Sequence, residues 1–175
     1  LGLADIEEKA RDKTKLVVVR SVVPTREVGF LPGGLKEKIS TYELPYKSIC
    51  SELYGRSDAY EVLKQKNILE FTSSSFIRGT TLENCVVFVD ECQNMNFHEL
   101  DSIVTRVGKN AQIIFSGDFR QSDLRRSEER RGIHDFMNIL KGMTNFAHVE
   151  YLPDDIVRSA MVKEYIIEKA KQGYA

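Results

Sequence analysis

Three runs of β-branched and other apolar residues divide the chain, and each is bounded by polar or turn-forming residues. They occupy positions 15–20, 85–89 and 112–115. Because such runs lack the polar alternation of a half-exposed strand, they predict strands that are buried on both faces, as in a parallel sheet. Segments 67–72 and 147–152 predict two further strands.

The segments between these strands carry apolar residues at helical spacing. Asn96, with Glu99 three positions later, predicts the start of one helix, and Gly108 predicts its end. Pro45 is expected to break the predicted helix at 35–54. The predicted helices cover 35–54, 59–63, 96–107, 133–140 and 154–172, and residues 3–12 predict the last turns of an additional helix.

This alternation of strands and helices favours an α/β fold, a mostly parallel sheet with helices on both faces in three layers. A length of 175 residues suits one domain over 1–175. In such sheets, ligands bind beyond the carboxyl ends of the strands. The residues to examine for chemistry are therefore those that end the strands, at 20–21, 90–91 and 116–118.

Composition narrows the classes of function. Lys and Arg number 25 against 26 Asp and Glu, a formal charge of −1, which excludes a strongly basic nucleic-acid coat and leaves room for a local basic patch. No apolar run is long enough to cross a membrane and no signal peptide opens the chain, so we expect a cytoplasmic protein. Three cysteines without a CxxC pair indicate reduced thiols.

Two adjacent carboxylates, Asp90 and Glu91, end the run at 85–89. Like charges in a desolvated site repel each other, and a bound Mg²⁺ would offset that cost. In P-loop NTPases the first acid of this Walker B pattern holds the Mg²⁺ shell, and a second acid orients or deprotonates the attacking water. The alternative is an acid that caps the next turn beside a solvated neighbour.

A second polar turn, Ser116-Gly117-Asp118, follows the run at 112–115. Gly117 permits a tight turn. The amide of Gln121 can donate to a phosphate oxygen and accept from a water. Gly-Asp-x-x-Gln after a strand resembles motif III of superfamily 1 helicases, where the glutamine lies near the γ-phosphate. The alternative is a polar turn before a helix.

Together these motifs resemble the PhoH-like ATPases, single-domain relatives of helicase motor domains. The resemblance implies a RecA-like P-loop fold, ATP and Mg²⁺ as ligands, and RNA or single-stranded DNA as the partner. It also implies a homo-oligomer such as a hexameric ring, and no membrane. It covers most of the chain and is carried by 19–24, the Gly-Phe-Leu-Pro-Gly loop at 29–33, 76–82, 90–94, 105–108, 117–124 and 155–158.

The resemblance also implies roles for single residues at the nucleotide. Asp90 would hold Mg²⁺ through water, with Gly117 and Asp118 beside the nucleotide. Glu91 would activate the attacking water, and Gln121 would sense the γ-phosphate.

Arginines supply the positive charge that a transferring phosphoryl group needs. The resemblance points to Arg158 and Arg78, acting within or between subunits, and Arg106 is a weaker candidate. The alternative for each is a surface ion pair. The family often has His-Pro where this chain has Ser159-Ala160. This departure weakens the case that the neighbouring Arg158 has the role of the family's arginine.

Residues 20–34 correspond to the segment that faces nucleic acid in related helicases. Arg20, Arg26 and Lys36 could reach phosphates there, and the alternative is an ordinary lid over a ligand. The basic cluster at 125–131 contains glutamates three or four residues from its arginines, so a solvated and self-paired face is favoured.

The phosphate-binding loop of the family, G-x-x-x-x-G-K-[ST], is absent from residues 1–175. The resemblance places it just before Leu1, so we expect the chain to continue upstream and residues 1–175 alone to bind ATP weakly or not at all. If the absence is natural, the alternative is a non-hydrolysing nucleic-acid-binding or assembly module on the same fold. A small-molecule kinase is a weaker third, because Gly-Asp-x-x-Gln is not typical of kinases.

Overall fold

Four strands, β1 (Lys15–Arg20), β2 (Leu69–Ser73), β3 (Cys85–Asp90) and β4 (Gln112–Phe115), form a parallel sheet in the order β2-β1-β3-β4. The computed structural model describes residues 14–21, 35–118 and 127–173, and the side chains of 35–38 and 127–131 fall outside that description. In the strand register, Arg20 lies opposite both Ser73 and Asp90. The carboxyl ends of three strands are therefore level.

Helices cover both faces of this sheet. Helices α1 (Leu35–Tyr54) and α2 (Ala59–Gln65) pack on one face, and α3 (Phe97–Val104) and α4 (Ser127–Lys141) on the other. Alternate strand residues point to opposite faces, and both faces are apolar because both are covered. The predicted α/β fold with three layers is confirmed. Four valines of the central strands are fully buried: Val19, Val86, Val87 and Val89. Burial of each such side chain contributes about 1.5–3 kcal/mol to the stability of the fold.

Helix α1 continues through Pro45, so the predicted break is wrong. Pro45 is exposed and follows Leu44 at 58% exposure, so the helix bond that proline cannot make lies on the solvent side. Tyr46 and Cys50 lie on the opposite side of α1 and are buried against the sheet. Their packing holds the helix together across the proline.

The predicted strand at 147–152 is wrong, because these residues have no regular secondary structure. Val149 and Tyr151 are 72% and 78% exposed, and in the described ranges β4 pairs with β3 alone. A strand without a neighbour to bond its backbone is not stable. The last predicted helix begins later than expected, as α5 (Ala160–Lys171), after a 3₁₀ turn at Pro153–Asp155.

The start of α3 is confirmed, whereas its predicted end is wrong. Asn96 is the N-cap, and its side chain accepts from the backbone N–H of Glu99 at 3.0 Å. The helix ends at Val104, before Gly108. Gly108 serves a close approach instead, because a Cβ there would lie 2.7 Å from Glu83 Cγ and 2.8 Å from Thr81 Cγ2.

The predicted helix at 3–12 and the loop at 22–34 lie outside the described residues. Helix α4 extends six residues before the predicted start at 133, to Ser127. Within the described part of the chain, no helix has the length and apolar character needed to cross a bilayer.

Candidate active site

Asp90 is the last residue of β3, and Glu91 follows it with a left-handed backbone, φ 51°. That conformation costs a non-glycine residue on the order of 1–3 kcal/mol and persists only where the surroundings enforce it. Here the side chain of Gln93 donates to Glu91 Oε2 at 2.5 Å, and the N–H of Cys92 donates to the Ser116 carbonyl at 3.0 Å. The turn therefore holds the Glu91 side chain, which is 42% exposed, in a fixed place.

Gln93 also joins the acid pair to the turn after β4. Its buried side chain accepts from the backbone N–H of Asp118 at 3.2 Å while it donates to Glu91. A Cβ on Gly117 would lie 2.5 Å from Gln93 Oε1 and 2.7 Å from Cys92 Sγ. The lack of a side chain at Gly117 thus leaves room for Gln93 and Cys92 between the two strand ends.

Arg20 and two tyrosines of α1 surround the other side of the acid pair. A guanidinium nitrogen of Arg20 lies 4.0 Å from Glu91 Oε1, and its Cζ lies 5.7 Å from the ring centroid of Tyr42. The hydroxyl of Tyr46 donates to Asp90 Oδ2. Burial, reinforced by Asp90, raises the pKa of Tyr46 well above its ordinary value although Arg20 opposes the shift, so the phenol is a neutral donor.

A further carboxylate joins the ends of β1 and β2 to α3. The hydroxyls of Ser74 and Ser21 donate to Glu99 Oε1 at 2.6 and 3.4 Å, and the N–H of Asn96 donates to Glu99 Oε2 at 3.0 Å. Ser21 and Ser74 are both buried. Glu99 therefore fixes the start of the segment that follows β1 relative to the helix that follows the acid pair.

The arginines predicted at the site are not brought to the acid pair. Arg78 and Arg158 are exposed, and among the described residues neither forms a hydrogen bond or ion pair with Asp90 or Glu91. Arg106 lies towards the amino ends of the strands, where its carbonyl accepts from Leu82. Its Nε is buried and finds no hydrogen-bond partner in the described part of the chain.

Three predicted site residues cannot be placed. Gln121 and Arg26 lie outside the described residues, and Lys36 lies in the first turn of α1, where side chains are not described. The structure does bring together Asp90, Glu91, the 117–118 turn and Arg20 at one edge of the sheet.

The acid pair offers the ligand chemistry of magnesium. Mg²⁺ prefers oxygen and usually takes one or two carboxylates, with water and substrate phosphate completing its shell. Asp90 and Glu91 provide two carboxylates, and in the ranges that the structure describes no three His, Cys, Asp or Glu residues are grouped to hold a metal. These two carboxylates are of the ligand type that Mg²⁺ prefers.

Sequence reasoning missed three residues of this edge. Gln93 lies within the predicted Walker B segment, so its position was a signal, but its bridge to Asp118 was not foreseeable. Glu99 was predicted only as part of a helix start. Tyr46 carries no sequence signal, because it lies 44 residues from Asp90.

Comparison with known proteins gives consistent similarities. Residues 2–170 match the family model described as "PhoH-like protein". The "PhoH-like protein" of Bacillus subtilis strain 168 is 32% identical over 160 residues, 91% of this chain and 50% of that protein. "Protein PhoH" of Escherichia coli strain K12 is 31% identical over 153 residues, 86% of this chain and 43% of that protein. The chain thus spans about half the length of the curated relatives it matches.

Proposed function

Because this chain belongs to the PhoH-like family, we propose that it binds ATP with Mg²⁺ at the carboxyl edge of its sheet and hydrolyses it in response to RNA or single-stranded DNA. One observation carries this proposal. The acid pair Asp90–Glu91 ends a central strand and is tied through Gln93 to the turn that ends the next strand. That is the edge at which parallel α/β sheets bind ligands.

The two acids take different roles in this proposal. Asp90, which accepts a hydrogen bond from the Tyr46 hydroxyl, would hold Mg²⁺ through water. When bound, the ion would neutralise charge on the β- and γ-phosphates. Glu91, half-exposed and fixed by Gln93, would accept the proton of the attacking water. Gln121, three residues beyond Asp118, would sense the γ-phosphate.

Gly117 and Asp118 would border the nucleotide from the end of β4. The hydrogen bond from the Asp118 N–H to the Gln93 side chain keeps this turn against the acid pair. The backbone N–H of Asp118 is already used by Gln93, so any contact from Asp118 to the nucleotide would come from its side chain.

Arg78 and Arg158 would supply positive charge from another subunit, because neither reaches the acid pair within this chain. Arg158 lies beside Val157, which is 95% exposed, and before α5, which has no buried residue. An exposed apolar surface next to an exposed arginine supports the proposal that the protein is a homo-oligomer, such as a hexameric ring.

Nucleic acid would bind along the segment that follows β1. Arg26 and Lys36 would contact phosphates. Arg20 also faces Glu91, so a phosphate that attracted its guanidinium would change the charge beside the acid pair. This contact supplies a physical route by which nucleic acid could alter hydrolysis.

The alternative is a non-hydrolysing nucleic-acid-binding or assembly module on the same fold. The left-handed backbone of Glu91 favours hydrolysis, because strain of this kind concentrates at catalytic sites.

The test is the rate of ATP hydrolysis by the complete gene product with Mg²⁺, with and without RNA. Glu91→Gln keeps the shape of the side chain and removes the base, so the rate should fall by about 10²-fold or more. Glu61→Gln is the matched control, because Glu61 is an exposed residue of α2 that pairs with Lys47; its rate should stay at the wild-type value.

Equal rates for wild type and Glu91→Gln would exclude the hydrolytic role of Glu91. A wild-type protein that binds RNA with the same affinity in the presence and absence of ATP, and hydrolyses none, would favour the assembly module.

A further inference from the structure

Helix α1 turns two aromatic residues, Tyr42 and Tyr46, towards the acid pair. Residues four apart lie on the same side of a helix. Tyr46 is buried and donates its hydroxyl to Asp90 Oδ2, whereas Tyr42 lies beside the Arg20 guanidinium. One turn of α1 therefore contacts both the candidate magnesium acid and the cation next to it.

The hydrogen bond from Tyr46 uses one of the two oxygens of Asp90. A carboxylate with one oxygen bonded to a fixed donor loses its freedom to rotate, and donors of this kind tune the affinity of metal ligands. The aromatic ring of Tyr46 is itself fixed, because it belongs to the same buried cluster as Cys50 and Leu16 and its centroid lies 5.5 Å from that of the Phe71 ring. The donor therefore stays in place.

We propose that Tyr46 is a positioning residue for Asp90: its hydroxyl fixes the carboxylate in the orientation in which it holds Mg²⁺. This inference rests on the proposed function, in which Asp90 is the magnesium acid. Without the hydroxyl, Asp90 would rotate among several orientations and the apparent affinity for the metal would fall, while the proton acceptor Glu91 would keep its own bonds to Gln93.

The chain contains a closely matched control. Tyr60 is also buried and also donates its hydroxyl to a carboxylate, Glu43 Oε1 at 2.9 Å, rather than to the acid pair. Glu43 keeps a second partner, Lys64, at 2.7 Å. Tyr46→Phe and Tyr60→Phe thus each remove one buried hydroxyl bonded to a carboxylate, and only the first removes it from the site.

The experiment measures binding of Mn²⁺, which shares the ligand preference of Mg²⁺, to the complete gene product with ADP. The loss of the free Mn²⁺ signal in electron paramagnetic resonance reports binding without turnover. We expect Tyr46→Phe to weaken binding about tenfold, and Tyr60→Phe to leave it at the wild-type value. In hydrolysis assays, Tyr46→Phe should raise the Mg²⁺ concentration for half-maximal rate by the same factor, with the rate at saturating Mg²⁺ near wild type.

Asp90→Asn separates this inference from the proposed function. If Asp90→Asn abolishes Mn²⁺ binding and Tyr46→Phe leaves it unchanged, the positioning role is overturned and the magnesium role of Asp90 survives. If Asp90→Asn has no effect, the proposed function and this inference fall together. An equal loss of affinity in Tyr46→Phe and Tyr60→Phe would show a general effect of destabilisation and would overturn the positioning role.

Discussion

Gly117 shows how one missing side chain shapes the candidate site. Glycine is usually selected for a left-handed backbone, whereas Gly117 leaves space for two neighbouring side chains. The side-chain atoms that a Cβ at this position would meet first, Gln93 Oε1 and Cys92 Sγ, belong to the turn that carries Glu91. The same approach allows Gln93 to bond Asp118 and Glu91 together.

We predict that Gly117→Ala displaces the Gln93 side chain and breaks this bridge. Gly117 is exposed, but the Gln93 and Cys92 side chains that a new methyl group would meet are buried, so the free energy of unfolding should fall by about 1 kcal/mol, the low end of the range for overpacking. ATP hydrolysis should fall with it. Urea unfolding measures the first effect. Gly142→Ala is the milder comparison, because Gly142 is also exposed and a Cβ there would lie 3.3 Å from the Ile139 carbonyl, against 2.5 Å from Gln93 Oε1 at Gly117; its loss of stability should be the smaller one. A Gly117→Ala protein as stable as wild type would show that the turn has room for a side chain.

Among the elements, α3 has a start encoded locally by its own sequence. Asn96 and Glu99 form a capping box, in which each side chain accepts from the backbone of the other residue. Glu99 also accepts from Ser74, so the cap orients the helix relative to β2. Because only a 3₁₀ turn at Cys92–Asn94 separates α3 from the acid pair, the anchoring of α3 helps to hold that segment.

Asn96→Ala should therefore lower the free energy of unfolding by about 1 kcal/mol. Ser159, the N-cap of α5, makes no side-chain cap bond, so Ser159→Ala should change stability by a few tenths of a kcal/mol at most. Thermal or urea unfolding of the two variants gives the comparison. Equal losses in both would mean that the Asn96 cap contributes nothing beyond helix propensity.

The elements that could be predicted best are the buried strands, because each is a continuous run of apolar residues. The strands at 15–20 and 112–115 were correct in both bounds, because covered sheets require apolar residues on both faces. The predictions from Pro45 and Gly108 were wrong for different reasons. The packing of α1 against the sheet overrides the local tendency of Pro45 to break a helix, and Gly108 allows the close approach of residues 81–83 instead of ending α3. The prediction of a strand at 147–152 was wrong, because an apolar pattern does not show whether a neighbouring strand is available to bond its backbone.

The candidate site was predictable in part for a topological reason. Parallel strands end at the same edge, so Asp90, Glu91 and Gly117 could be expected to meet. Tyr46 could not, since its contact depends on how α1 crosses the sheet. No short sequence pattern encodes that crossing.

For the whole molecule, the sheet separates two apolar layers that share the central strands. Cys50 lies in the layer under α1 and α2, whereas Cys85 and Cys92 lie in the layer under α3 and α4. All three are buried, and none forms a disulfide. Val86 and Val87 are adjacent in β3 and belong to opposite layers. If the helices of one layer detached, the apolar residues on that face of β3 would be exposed to water, and the strand would no longer support the other layer. We infer that the two layers unfold together.

The three thiols can test this cooperativity. Burial raises the pKa of Cys50 above its ordinary value and raises that of Cys92 to about 12, so in the folded state Cys92 stays protonated and unreactive at pH 8. The thiolate forms only when the protein opens and the pKa returns to about 8.5. Alkylation by iodoacetamide should therefore be slow in the native protein, accelerate about tenfold per pH unit below pH 8.5, and level off above it.

If the layers open as one unit, mass spectrometry should find Cys50, Cys85 and Cys92 labelled at rates within a few-fold of one another, and a mild concentration of urea should accelerate all three equally. Tenfold faster labelling of Cys50 would contradict a single unit and would show that α1 and α2 open alone. Since α1 carries Tyr46, that result would also mean that the bond to Asp90 breaks before the rest of the sheet unfolds.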